Sequence, residues 1–142
     1  MINFFLIFPL IFIIITIIKL QKSKNKSHVV FNYLLLPLIL YYSIGHLIFS
    51  SKVAKSIGWN TSPFQYELGY FTLSIFIVGL YASINNYSIQ TLRSIAYIWI
   101  IFIIMASINH IKEILIDKNY SFNNISPIFM TIITFSFVHY YI

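Results

Sequence analysis

The chain has 142 residues, of which 59% are hydrophobic, 19% aromatic and only 8% charged, against about 45–50% apolar and about 25% charged in an ordinary soluble domain. A chain this short buries only about two-thirds of its surface, so a mean hydropathy of +0.85 excludes a water-soluble fold and makes lipid the solvent. Nine Lys and Arg against three Asp and Glu give a net charge of +6, which in such a chain reads as loop lysines facing anionic headgroups and not as a nucleic-acid surface, while the absence of cysteine removes disulfides, thiolate metal sites and cysteine nucleophiles.

Residues 2–18 carry no charge, and a helix of that length rises about 25 Å, a little under the roughly 30 Å hydrocarbon core. A secretory signal would place positive charge before its apolar run, but Lys19, Lys22, Lys24 and Lys26 follow it, so the segment reads as an uncleaved anchor. The second span is predicted over 29–49, with a kink at Pro37 and the polar pair Gly45-His46 near its end. Residues 50–65 read as a loop, because Lys52 and Lys55 precede a cluster of turn formers around Trp59. The third span follows over 67–87 and the fourth over 94–116. After a polar stretch over 117–126, residues 127–142 form a last apolar segment of 16 residues, short for a span. The fold class is therefore all-α, a single transmembrane bundle of about five spans.

Charge on the loops orients such a bundle. With the N-terminus outside, Lys19, Lys22, Lys24, Lys26 and Arg93 fall inside, and Lys52, Lys55, Lys112 and Lys118 fall outside. The four lysines directly after the first span dominate, giving an N-out, C-in protein of a bacterial-type plasma membrane. Its immediate partner is the lipid bilayer.

The ionisable groups cluster by depth. Glu67 opens the third span, Glu113 and Asp117 close the fourth, and His46 and His110 lie near the ends of the second and fourth, all towards the non-cytoplasmic face. His110 and Glu113, three apart, share a helical surface. A charge near the bilayer centre costs about 2.5–3.5 kcal/mol on the insertion scale, so such groups face a partner, water or the bundle interior. His28, among the loop lysines, reads as a headgroup-facing side chain and His139 as interfacial at the opposite face. For a di-metal centre the ligand types suit, but the spacing is a single His-x-x-Glu pair and not the repeated Glu-x-x-His such centres use. No cofactor, catalytic residue or metal ligand is assigned.

The stretch Ile57-Gly58-Trp59-Asn60-Thr61-Ser62-Pro63-Phe64-Gln65-Tyr66-Glu67-Leu68-Gly69 resembles the central motif of an uncharacterised family of small bacterial integral membrane proteins, domain-of-unknown-function family 6790. That motif reads Ile-Gly-Trp-x-x-Ser-Pro-Phe-Gln-x-Glu-hydrophobic-Gly, and every fixed position is matched. Asn109-His110-Ile111 is similar to the family's Gly-His-Ile segment, with Asn109 where glycine is usual. Asn124-Ile125-Ser126 departs from Asn-Ala-Gly, and Ile132 stands where an aspartate is expected. The resemblance spans roughly residues 40–130, implies a membrane fold, and singles out Trp59, Gln65, Glu67 and His110 without implying a substrate.

Three functional readings follow. In the first, His46, Glu67, His110 and Glu113, with Gln65 and the Trp59 loop above them, line a pocket for a proton or a small polar or quinone-like ligand at the non-cytoplasmic end. In the second, the same groups merely lock the helices of a structural or interaction protein, whose membrane-protein partner is unidentified. In the third, they serve a metal-dependent membrane enzyme. The topology has a direct check, and the cysteine-free background makes it clean. Asn60→Cys should react with an impermeant maleimide in intact cells and Asn25→Cys only after permeabilisation; the reverse pattern inverts the orientation.

Overall fold

A computed structural model describes residues 4–142 of the protein. The first two residues of the predicted first span lie outside this range. Six helices account for nearly all of it, with no strand among the described residues: α1 (Phe4–Lys22), α2 (Lys26–Leu47), α3 (Ser50–Ser56), α4 (Phe64–Ile84), α5 (Ile89–Ile116) and α6 (Phe122–Tyr141). Of these, α2, α4 and α5 are long and apolar enough to cross a membrane.

The central helix is α2. Val30, Phe31, Leu34, Leu35, Leu38 and Ile39 are buried on more than one side of it, as befits a helix apolar all round, and α1, α4, α5 and α6 all pack against it. Pro37 does not break it. Instead, the turn over Phe31–Leu35 widens into a π-helix, and the Leu36 N–H bonds to the Phe31 carbonyl five residues back. A proline cannot donate to the carbonyl four residues earlier and crowds it sterically, and a widened turn just upstream re-pairs the backbone, which lipid would otherwise leave unsatisfied.

Two further expectations change. Residues 50–56, read as loop, form α3, where Ser50 and Ala54 share a buried face and neither Gly nor Pro interrupts. The last helix is longer than predicted: Ser121 sits at its N-cap position, Asn123, Asn124 and Ile125 are helical, and Pro127 lies inside it, giving 20 residues where the apolar run alone suggested 16. Helices α2, α4 and α5 likewise start before their predicted spans do, at Lys26, Phe64 and Ile89.

The tightest seam joins α2 to antiparallel α4. Small residues at helical spacing on α4, namely Gly69, Thr72, Gly79 and Ala82, are buried against α2. A Cβ added at Gly69 would stand 2.6 Å from the Leu47 side chain and 3.2 Å from His46 Cβ, and one at Gly79 would stand 2.8 Å from Leu36 Cδ2. Polar rungs cross the same seam: Ser83 Oγ donates to Asn32 Oδ1 at 2.6 Å and Ser43 Oγ to Thr72 Oγ1 at 2.9 Å. A matching rung, Ser107 Oγ to Thr131 Oγ1 at 2.8 Å, joins α5 to antiparallel α6.

Gly69→Ala should destabilise the detergent-solubilised protein by about 1–3 kcal/mol, the usual range for overpacking, and by more than Gly79→Ala, whose added Cβ meets one Leu36 methyl at 2.8 Å where that of Gly69 meets both Cγ and Cδ2 of Leu47 at 2.6 Å. Thermal unfolding followed by circular dichroism checks this. Equal midpoints for the two variants would mean that the seam can open at Gly69 without loss.

Candidate functional site

Both span-end histidines meet a side-chain amide of the following long helix. His46, in the last turn of α2, lies with its Nδ1 2.6 Å from Oε1 of Gln65, a residue only 2% exposed at the start of α4. An amide oxygen only accepts, so the histidine carries its hydrogen on Nδ1 and keeps a lone pair on Nε2. The pairing depends on Gly69, one turn beyond Gln65, which lets α4 approach the His46 backbone.

His110, buried in α5, places Nδ1 2.7 Å from Oδ1 of the fully buried Asn124 in the first turn of α6. The Asn124 Nδ2 then donates to the His110 carbonyl at 3.3 Å and to the Asn119 carbonyl at 2.9 Å. Over the other side of His110 lies Trp59, ring on ring at 5.7 Å between centroids and 12° between planes. The segment carrying Trp59 is pinned from below, as Asn119 Nδ2 donates to the Ile57 carbonyl at 2.7 Å and Asn123 Nδ2 to that of Ser56 at 3.2 Å. Gly58 adopts φ +83°, which a side chain would strain, and this turn swings Trp59 back over the bundle. The motif thus closes one end of the bundle.

Near this end, a cavity of about 110 Å³ lies among α1, α2, α3, α5 and α6. His46 and Tyr42 of α2, Trp99 of α5 and Asn123 and Thr131 of α6 are among its lining residues. Trp99 is 1% exposed, with the Tyr42 ring edge-on to it at 5.3 Å. Among the described residues, three buried polar side-chain atoms find no hydrogen-bond partner: Nε1 of Trp59, Nε1 of Trp99 and Oγ of Ser121. Of these residues, Trp99 alone lines the cavity.

The candidate residues are therefore brought together in two pairs, His46 with Gln65 and Trp59 with His110, and not as one quartet. Glu67 is exposed in the first turn of α4, where the helix dipole favours a carboxylate, and Glu113 is partly exposed, its backbone carbonyl accepting from the Asp117 and Asn119 N–H groups at the end of α5. Of the four ionisable candidates His46 alone lines the cavity; His110 and both glutamates do not. Among the described residues no three His, Cys, Asp or Glu side chains gather into a metal-holding set. Two sets of participants were missed from sequence. Asn119, Asn123 and Asn124 read simply as a polar loop, although three amides within six residues beside a lipid-solvated helix end were a usable signal. Trp99 lies within the predicted fourth span, and nothing in its sequence position singled it out.

The chain belongs to a family of unknown function, DUF6790, whose model matches residues 2–142 and so extends the likeness from roughly residues 40–130 to nearly the whole chain. No curated protein and no solved structure matches it. At Ile132, where the family resemblance led us to expect an aspartate, the side chain is 56% exposed on α6 and does not line the cavity, so its apolar identity takes no group from that site.

Asn124→Leu should destabilise the protein by about 1–3 kcal/mol, because it strands the His110 Nδ1–H in a buried site. Adding His110→Leu should recover part of that loss, since removing both partners leaves nothing unsatisfied. A double variant as unstable as the sum of the singles would show that the pair does not act as a unit.

Proposed function

We propose that the protein is a five-span integral membrane protein, N-terminus outside, that binds a small oxygen-bearing ring of the phenol or quinol type in the cavity beside His46. The observation that carries this reading is that His46, whose neutral ring keeps an acceptor at Nε2 because Gln65 takes the Nδ1 hydrogen, and Trp99, whose buried indole N–H has no acceptor, line one half-open cavity. A buried donor without a partner is uncommon. A ring hydroxyl answers His46 by donating to Nε2, with the Trp99 ring forming the wall beside it. Size agrees, because about 110 Å³ suits a single small ring or three to four waters at roughly 30 Å³ each. Gln65, by fixing the tautomer, acts as a positioning residue that presents Nε2 as a hydrogen-bond acceptor.

The α1 and α6 segments support the five-span count, since their helices of 19 and 20 residues approach the length a bilayer requires. A structural role is favoured for the other histidine. His110 is stacked on Trp59 and bonded through Nδ1 to an amide that is itself tied to two carbonyls, an arrangement suited to locking α5, α6 and the Trp59 segment together.

The chain has two tryptophans, so Trp59→Phe leaves Trp99 as the sole emitter. In that background 4-nitrophenol, which absorbs in the indole emission range, should quench fluorescence saturably, and His46→Leu should weaken binding about tenfold, equivalent to about 1.4 kcal/mol. Quenching that rises linearly with probe and ignores His46→Leu would overturn the binding reading.

A further inference from the structure

A second, larger concavity of about 880 Å³ lies against the opposite flank of α2, between α1 and α4. Its walls are mostly apolar, with Phe8 and Phe12 of α1, Leu40 of α2 and Phe76 of α4 among them, Asn32 and Lys52 are its polar members, and exposed residues such as Phe8 mark where it opens outward. Two residues, Tyr41 and Gly45, line both this groove and the inner cavity. They form the partition.

Gly45 is the informative member. Gly45 lies in the last turn of α2, two residues before Leu47, and close packing is one reason for a glycine inside a helix. Packing accounts for Gly69 and Gly79, where an added Cβ would collide with a neighbour at 2.6 and 2.8 Å. At Gly45 the added Cβ meets only Val53 Cγ2, at an ordinary 3.6 Å. No close helix approach requires this glycine. Val53 itself lines the inner cavity, so the vacant Cβ position sits at the boundary between the two spaces. A missing side chain there leaves a low point in the partition.

We infer that the ring bound beside His46 carries a single long hydrocarbon chain, which passes over Gly45 into the groove between α1 and α4, so that the ligand is a membrane-dissolved lipid with an oxygen-bearing ring. This rests on the binding reading above and adds the class of ligand and its route. A ring small enough for the inner cavity would partition weakly from water into so apolar a protein, whereas each methylene moved out of water adds about 0.8 kcal/mol to retention by the membrane phase. The groove lets the chain stay in an apolar setting while the ring is enclosed. A lipid with a bulky charged headgroup does not satisfy the same geometry, since the inner cavity admits a small ring only.

The test compares phenol with 3-decylphenol as competitors of 4-nitrophenol for the Trp59→Phe protein in detergent, followed by Trp99 emission. The chain should improve competition at least tenfold. In Gly45→Leu, which places a branched side chain on the partition, the advantage of the decyl chain over phenol, both measured in that variant, should disappear. Retained phenol binding also reports that this variant is folded. Should it fail to fold, Gly45→Ala gives the answer, with the chain's advantage cut by about threefold and no loss of thermal stability. An advantage that is equal in the parent and in the folded Gly45 variant would reflect micelle partitioning and overturn the inference, as would a decyl chain that adds nothing. Failure of 4-nitrophenol and phenol to bind at all would instead strike the binding reading beneath it.

Discussion

Close approach of α2 to α4 is the constraint on which the rest of the site depends. In lipid there is no hydrophobic force to press two apolar helices together, so association relies on van der Waals fit and on polar groups that find each other. Gly69 and Gly79 remove the side chains that would hold the backbones apart, and Ser43, Thr72, Asn32 and Ser83 bond across the gap so created. The bond between His46 and Gln65 lies at one end of this seam. Lengthening the interhelical distance by the width of a methyl group would part the two side chains, release the imidazole and alter the cavity wall that it forms.

The two histidines answer the same burial problem with opposite consequences. Each gives its Nδ1 hydrogen to an amide oxygen, which is a cheaper way to hold an imidazole in a low-dielectric setting than pairing it with a charged carboxylate. At His110 the remaining surroundings are filled by Trp59 and by an asparagine committed to two backbone carbonyls. At His46 they include open space, which the Trp99 side chain also lines. Rigidity on one side and room on the other come from the same pairing chemistry, placed differently relative to the core.

The central motif is legible in these terms. Its Ile57 offers a carbonyl to Asn119, Gly58 takes the left-handed turn, Trp59 covers His110, Gln65 orients His46, and Gly69 admits the neighbouring helix. Glu67 is the exception, exposed at the start of α4, where its charge meets the positive end of the helix dipole. Five of these six positions thus act on the two histidines or on the segment that covers them, although the histidines themselves lie outside the motif.

Lipid solvation, an all-helical chain and the approximate position of each apolar run follow from the sequence alone, because a charge-free stretch of about 20 residues has few other stable solutions in a bilayer. The depth of His46 and His110 follows as well, since position along a helix fixes height. Which groups meet at that depth does not follow. Helical periodicity defines the faces of each helix but not how far it is rotated towards its neighbours, and that rotation is set by contacts between residues distant in the chain, such as Gly69 against Leu47 and Ser107 against Thr131. Those contacts turned Glu67 and Glu113 away from the cavity, supplied Asn124 to His110, and brought Trp99 to the same space as His46, because in a close-packed bundle the shape of the seam decides which polar groups are enclosed together.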